Sequence, residues 1–387
     1  MKICLINNLY KPFARGGAEK VAETIAQGLI QAGHEVIIIT TRPRFGNWKL
    51  EIGNSDIYYI KSLYYNLNRF PVFIRLIWHI WDMFNFINYF KIKKILLKEK
   101  PDAVITNNLM GLGFLTVFAI KKLKIKLVHI VHDAQLIHPS GVVRWGHEGM
   151  INSFSARNYA GLMSWLADSP PIVIFPSRWL RNMHLEKIFF IKSQRIILPN
   201  PVEAMPERSA ELRGEIFKFL YLGQIEKHKG ADLLIQAFKK IKAEYQGLEL
   251  LIAGTGADLA RLKLLGEDDS RVKFLGWQSR AEAGKLLTTC QALVLPTLCH
   301  ENCPAAILEA FSAGLPVIAA DLGGIQELLS QNAGLLFKPG ESDDLAEKMR
   351  WLLNNQGQLA EMITRGREKA ALCSPENYVK ELEKLLK

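Results

Sequence analysis

Two glutamates, Glu301 and Glu309, stand eight residues apart in the stretch LVLPTLCHENCPAAILEAFSAGLPVIAADLGGIQELL. Proline suits the first turn of a helix because its missing N–H would be unbonded there anyway, so Pro304 reads as a helix start, with Gly314 and Pro316 as the stop. Glu301 is then expected in the loop before the helix and Glu309 about one turn into it. The N–H groups of Ala305, Ala306 and Ile307 would point out of the helix start and form a place for an anion. Amides so arranged suit a diphosphate. A carboxylate on either side suits sugar and ribose hydroxyls, from which it accepts strong hydrogen bonds. As a bare spacing the pair means little. The surrounding order carries the information: strand, glutamate loop, helix, Gly-x-Pro, strand, then Gly323, Gly324 and Glu327.

Other residues could serve the same chemistry. Gly16 and Gly17 follow a strand and open a helix, where backbone could approach a phosphate closely; an ordinary tight turn is the plain alternative. Lys229, in KHKG, follows the strand that ends at Leu222 and could neutralise a diphosphate as a point charge. Its neighbour His228 reads as a solvated loop residue. His132 closes a strand in HIVHDAQ, and a neutral imidazole can both donate and accept hydrogen bonds to hydroxyls. A histidine satisfied within the core is the alternative, and His129, earlier on that strand, fits it better. Asp133 suits a loop cap as well as a ligand. Trp145 lies in the long stretch between Asp133 and Pro176 and could stack on a sugar face. Cys299 and Cys303 stand four apart without the further ligands that a metal site needs. The dinucleotide fingerprint G-x-G-x-x-G does not occur, which argues against a nicotinamide oxidoreductase.

The elements that must hold these residues alternate. KICLINN reads as a strand, 17–32 as a helix with Val21, Ile25 and Leu29 at helical spacing, and HEVIIIT as a buried strand. DAVIT, KLVHIVHD and PIVIFPS continue the pattern. The second half repeats it with FKFLYLG, the helix ADLLIQAFKKIK, then LELLIAG, RVKFLG, ALVLPT and LPVIAAD. Such alternation implies parallel sheets with helices on their faces. ILPNPVEAMPERSAELRGE, rich in proline and charge, reads as a linker, and the boundary is placed near Asn200. Two doubly wound domains, facing each other, would leave a cleft at the carboxyl ends of both sheets.

Bulk properties agree with this plan. A chain of 387 residues exceeds the usual size of one core, and 49% hydrophobic with 22% charged residues is ordinary for a globular protein. Five cysteines, an odd number without paired spacing, argue for a reducing compartment. MKICLINN reads as a first strand rather than a signal peptide. The most apolar stretch, Pro71 to Phe90, contains Arg75, His79, Asp82 and Asn85 and is too polar to cross a bilayer unaided. Arg75, His79 and Asp82 share one helical face, with Phe73, Ile74, Ile77, Trp78, Ile80, Trp81 and Phe84 on the rest and lysines following. Two readings stay open: a helix lying in an anionic membrane surface, or a core helix with a solvated edge. The formal charge of +11 favours anionic partners. No concentrated basic and aromatic motif points to nucleic acid. A cytoplasmic protein is the expectation, peripheral at the inner face of the membrane if the first of these readings holds.

EAFSAGLPVIA with GGIQE, GGAEKVAETIAQGLIQAGHEV, FPSRWL, ILPNPV and LGQIEKHKGADLLIQAF together resemble the retaining glycosyltransferase family numbered four, over nearly the whole chain. That family has the GT-B fold of two facing Rossmann-like domains and a Glu-x7-Glu motif, matched by Glu301 and Glu309. The resemblance implies a first, acceptor-side domain over 1–199, a nucleotide-sugar domain over 200–374, and a last helix at about 375–387 that packs back on the first. It implies that Glu309 holds the ribose and Glu301 the donor sugar. Asn302, Cys303, Pro304, Ala305 and Ala306 would offer backbone groups to sugar and phosphates. Gly16, Gly17 and Lys229 would face the donor, and His132 would lie near the reaction centre. The family usually has an arginine directly after the glycine of the strand end; here Gln224 stands there, which offers hydrogen bonds but no charge.

The expected reaction is a retaining, same-face transfer of a sugar from a UDP-, GDP- or ADP-linked donor to a glycan or lipid-linked acceptor. No cofactor is expected, and no metal, since Asp-x-Asp does not occur. The alternatives are a GT-B nucleotide-sugar epimerase and a non-catalytic sugar-nucleotide-binding protein.

Overall fold

The computed structural model describes residues 1–13, 16–44, 56–207 and 216–387. Ala14 and Arg15 of the first loop, and 208–215 of the expected linker, lie outside the described residues. The chain divides into two compact units, one of Met1–Gly141, Ile151–Pro201 and Pro375–Lys387, the other of Val142–Met150 and Val202–Ser374. The short segment Val142–Met150, assigned with its surroundings to the first domain in the sequence reading, groups with the second unit. Backbone hydrogen bonds tie it there: Trp145 N–H donates to the Leu298 carbonyl at 3.0 Å and His300 N–H to the Val143 carbonyl at 2.9 Å.

In the first unit the described residues form a parallel sheet of β1 (Lys2–Ile6), β2 (Glu35–Pro43), β3 (Asp56–Ser62), β4 (Ala103–Thr106), β5 (Lys126–Ile130), β6 (Ile172–Phe175) and β7 (Gln194–Ile197). Their order is β3-β2-β1-β4-β5-β6-β7, so the winding reverses between β1 and β4. In the second unit β8 (Phe217–Leu222), β9 (Leu248–Ala253), β10 (Val272–Gly276), β11 (Ala292–Leu295), β12 (Val317–Ala320) and β13 (Leu335–Phe337) take the order β10-β9-β8-β11-β12-β13, with the reversal between β8 and β11. In open sheets of this kind ligands bind at such reversals, beyond the carboxyl ends of the strands.

Alternate residues of the same strands build the two layers of the second unit. Phe219, Tyr221, Val294, Ile318 and Ala320 point to one core; Leu220, Leu293, Leu295, Val317 and Ala319 point to the other. Burial on both faces is why these strands read as unbroken apolar runs. In the first unit, helix α1 (Gly17–Gln31) buries Val21, Ile25 and Leu29 against Ile3, Leu5, Val36 and Ile38. Gly33, at φ 85°, follows its end. The last helix, Pro375–Leu386, joins the same core through Tyr378, Val379 and Leu382. His34 Nε2 lies 2.7 Å from Glu383 Oε1 beside it.

The apolar stretch after Pro71 forms two helices, α2 (Val72–Met83) and α3 (Phe86–Glu99). Asn85 separates them and caps α3, its side chain accepting the Asn88 N–H at 3.0 Å. The reading of α2 as a core helix with a solvated polar edge is reversed. Asp82 is buried and accepts the Gly111 N–H at 2.6 Å, Arg75 is half-buried with Nε donating to the Phe70 carbonyl, and Phe73, Ile74, Ile77, Ile80 and Trp81 are exposed, while Trp78 and Met83 are buried. A carboxylate that satisfies a buried backbone donor outweighs the pull of periodicity here.

Candidate active site

In the second unit the site grows from the two strands that flank the reversal. β8 ends at Leu222, and the chain runs through Gln224 to a short turn holding Lys229 before helix Ala231–Ile241 begins. β11 ends at Leu295, and Pro296 to Pro304 form the loop that precedes helix Ala305–Ala313. Gly230 sets the distance between these loops. Its φ is 68°, and a Cβ there would stand 1.9 Å from the Pro296 carbonyl oxygen. Leu298 N–H donates to the His228 carbonyl at 2.8 Å, so the loops are joined backbone to backbone.

That contact brings Lys229 Nζ to 2.5 Å from Glu301 Oε1, both side chains being about one-fifth exposed. Burial alone would lower the Lys229 pKa, but the Glu301 charge, the Cys299 thiol and the hydrogen bond to Glu301 outweigh it and raise it. The same Glu301 oxygen accepts the Thr297 hydroxyl at 3.4 Å. The Cys299 thiol lies beside it, and burial first, then Glu301, pushes that thiol up to about 11. Behind Glu301, the Gly324 N–H donates to its carbonyl at 2.7 Å, and a Cβ on Gly323 would stand 2.5 Å from the same oxygen. The Gly-Gly turn is therefore a support for the Glu301 backbone, which the motif alone does not reveal.

Pro304 is the N-cap of helix Ala305–Ala313 rather than its first residue. Ala305 and Ala306 are half-buried and their N–H groups have no intrahelical acceptor. Ile307 differs from expectation: its N–H donates to the Pro304 carbonyl at 3.1 Å, so it does not belong to the open amides. Glu309 is half-buried four residues after Ala305, on the same helix face. Asn302 is half-buried and Cys303 buried between them. Gln224 is exposed, and its carbonyl accepts the Tyr221 hydroxyl at 2.6 Å. The structure thus gathers Lys229, Glu301 and the Asn302–Ala306 backbone at one corner.

Trp145 does not sit among first-unit residues, where the sequence reading put it. Its ring lies against Gly340, at which a Cβ would be 2.6 Å from the ring. With Arg144, Lys227, His228 and Asp258 it lines an open pocket of about 440 Å³ next to the Lys229 turn. Glu148 Oε1 and His300 Nε2, 3.1 Å apart, hold the segment to the Glu301 loop. Neither partner stood out in the sequence, because their 152-residue separation hides the pair.

In the first unit the corresponding corner sets a neutral histidine beside a half-buried carboxyl. His132 is buried, its Nε2 is 2.7 Å from Asn107 Oδ1, and burial lowers its pKa to about 4. His129 bonds to the Thr106 hydroxyl within the core at 2.9 Å, and burial lowers it to about 3. Asp133 accepts the Gln135 N–H at 2.8 Å as a loop cap, and burial raises its pKa to about 6. Gly16 is the N-cap of α1, and its N–H already donates to Glu19 Oε2 at 2.6 Å. Gly17 follows as the first helical residue, with no atom within 4 Å of where a Cβ would be. The Asn-Asn pair after β4 was the signal that could have identified Asn107 as the partner of His132.

Comparison with known proteins fits this arrangement. The Glycosyltransferase Family 4 model matches residues 15–204 and the Glycosyl transferases group 1 model residues 207–369. A 42.6 kDa protein of the cps region of Klebsiella pneumoniae is 27% identical over 339 residues, 85% of this chain and 87% of its own. Sucrose-phosphate synthase of Thermosynechococcus elongatus superposes with a TM-score of 0.73 at 19% identity, covering 99% of this chain and 98% of its own. HepE of Anabaena in complex with UDP-glucose gives 0.73 at 17% identity, covering 100% and 99%. The fold is GT-B. The chain belongs to the group 1 glycosyltransferases, and its chemistry is glycosyl transfer.

Proposed function

We propose that this glycosyltransferase is a retaining hexosyltransferase that uses a UDP-, GDP- or ADP-linked sugar and a glycan or lipid-linked acceptor. It works without a divalent metal, in polysaccharide assembly at the cytoplasmic face of a membrane. The observation that carries the reading is the Lys229–Glu301 pair beside the open amides of Ala305 and Ala306. Lys229 and the amides neutralise the departing diphosphate, which removes the need for a bridging metal. When the diphosphate draws Lys229 away, Glu301 is released to accept hydrogen bonds from the donor sugar. Glu309 accepts from the ribose, while His132, neutral at pH 7, offers a hydrogen bond at the reaction centre. HepE, solved with UDP-glucose, supports a nucleotide-sugar donor.

The acceptor oxygen bonds to the anomeric carbon on the face from which the diphosphate departs. The C–O bond to the phosphate breaks with its electron pair going to the phosphate oxygen, and the acceptor proton passes to that oxygen. A glycoside and a nucleoside diphosphate leave.

A thermal-shift screen against UDP, GDP, ADP and their sugars identifies the donor, since a ligand at about 100 times its Kd stabilises by roughly 2.7 kcal/mol. With donor and acceptor in hand, the anomeric configuration of the product, read by NMR, and turnover in excess chelator test the rest. An inverted product overturns retention. Turnover lost in chelator and restored by magnesium or manganese overturns metal independence, and conversion of donor without acceptor revives an epimerase.

A further inference from the structure

Helices α2 and α3 present an outward surface unlike the rest of the molecule. On α2, Phe73, Ile77 and Ile80 are each 60 to 64% exposed, and Trp81 lies beside them. No charged residue shares that face: Asp82 is buried, and Arg75, half-buried, lies on the other side of the helix with Nε on the Phe70 carbonyl. On α3, Phe86 and Phe90, 62 and 63% exposed, lie on one line a turn apart. Lys91, Lys94 and Lys98, at i, i+3 and i+7, form the neighbouring line and are exposed. The acids of the two helices are Asp82 and Glu99. Asp82 is buried, and the 9%-exposed Glu99 carboxylate is held by Lys2 and Lys98. A soluble protein rarely leaves so many large apolar side chains together in water.

We infer that this face docks on the surface of an anionic lipid bilayer, with α2 sunk into the headgroup region and the α3 lysines against lipid phosphates. Among the described residues no helix is long and apolar enough to cross a membrane, so the contact is along the surface. The charge pattern selects the occupant. A second copy of the chain would bring lysines to a face that offers them no exposed carboxylate, whereas anionic headgroups supply one negative charge after another. The apolar side chains are tryptophan, phenylalanine and isoleucine on a helical ridge, which suits the disordered boundary between headgroups and acyl chains. The inference deepens the membrane location proposed above and draws on that reading only for its purpose, bringing the enzyme to a lipid-linked acceptor; the docking needs no sugar chemistry.

The test is sedimentation of the full chain with phosphatidylcholine vesicles, alone or mixed with phosphatidylglycerol, at low and high salt. The wild type is expected to sediment with the mixed vesicles at low salt and to be released by high salt. Lys91→Ala with Lys94→Ala should weaken partitioning about 30-fold, the equivalent of roughly 1 kcal/mol for each lysine near the surface. Ile77→Asn with Phe90→Asn should abolish it. Phe154→Asn, at a side chain 83% exposed on another helix of the same unit, should leave it unchanged. All these positions are exposed, so unchanged melting temperatures confirm intact folding. Equal binding to neutral and anionic vesicles, an effect of Phe154→Asn as large as that of the α2–α3 pair, or wild-type binding by the Ile77/Phe90 variant would each overturn the proposal. So would a dimer in the ultracentrifuge that Ile77→Asn with Phe90→Asn dissolves. Nucleotide-induced thermal shifts of the same variants, measured without vesicles, report separately on the glycosyltransferase reading.

Discussion

At the carboxyl ends of β4 and β5 the first unit holds Asn107, His132 and Asp133; at those of β8 and β11 the second holds Lys229 and Glu301. The two corners stand on the same kind of sheet. Burial in the first drives its groups toward neutrality, lowering His132 to about 4 and raising Asp133 to about 6. In the second a lysine and a glutamate pair at 2.5 Å, and the lysine pKa rises despite its burial. One corner is therefore a desolvated hydrogen-bonding surface around a neutral histidine, and the other a preformed pair of charges. Topology sets where a ligand can lie, and desolvation against charge pairing sets what each corner can do to it.

The strongest way to break that contrast is Glu301→Gln. If Glu301 acts on the sugar where charge develops, kcat should fall about 100-fold or more while free nucleotide binds nearly as before. Equal turnover in wild type and variant would remove the charged corner from the chemistry. A fall in melting temperature with no change in the kinetics of the surviving protein would leave the pair with a structural role only.

The neutral histidine of the first corner is tested by pH. The His132 pKa falls from its ordinary 6.5 to about 4 on folding, so between these values the unfolded chain holds a proton that the folded one lacks. Its contribution to stability is complete above pH 6.5 and is lost as pH falls toward 4, a change on the order of 3 kcal/mol. His132→Gln should therefore flatten the decline of melting temperature over that range. Asp82, raised to about 7 by burial, and Asp133 act in the opposite sense, but they are common to both proteins and cancel in the difference. Parallel melting curves for wild type and variant would show that His132 titrates normally.

Much of this was legible in the sequence. Strands buried on both faces, such as ALVL and VIAA, declare themselves as apolar runs. The edge strands β3, β7 and β13 went unread, since an edge is half-solvated: QRII is exposed at Gln194 and Arg195, and β13 spans three residues. Lys229, Glu301 and the helix after Pro304 stood out as candidates because they lie in one local run or a recurring loop. The direct Lys229–Glu301 contact was not, because it depends on Gly230 meeting Pro296 across 66 residues of chain. The orientation of α2 stayed open for a related reason. Its periodicity separates two faces but does not say which is inside, and the Gly111 N–H that claims Asp82 lies 29 residues away.

Glu309→Gln sharpens the comparison within the charged corner. A carboxylate that accepts from the ribose contributes about 1.5–3 kcal/mol, so the nucleotide affinity should drop roughly 10- to 150-fold, with the donor KM rising alongside. This separates Glu309 from Glu301, whose loss should appear in kcat. Equal losses of nucleotide affinity in the two variants would overturn the division of roles.

The smallest effect concerns the start of α1, where the first corner meets a further carboxylate. Glu19 is buried, accepts the Gly16 N–H at 2.6 Å, and adds to the upward shift of the Asp133 pKa, after burial itself. If a phosphate approaches Gly16 and Gly17, it enters a helix start that already holds a carboxylate. Glu19→Gln keeps an oxygen for the Gly16 N–H and removes the charge. A negative charge at a helix start stabilises by about 0.3–1 kcal/mol, so the variant should melt slightly earlier. The same term should reappear with opposite sign in donor binding, since the phosphate no longer competes with a fixed anion: affinity should rise by roughly two- to five-fold. A capping role alone predicts the lower melting temperature with unchanged donor affinity. A loss of affinity would mean that the Glu19 carboxylate touches the donor itself, and the helix start would cease to be a phosphate site.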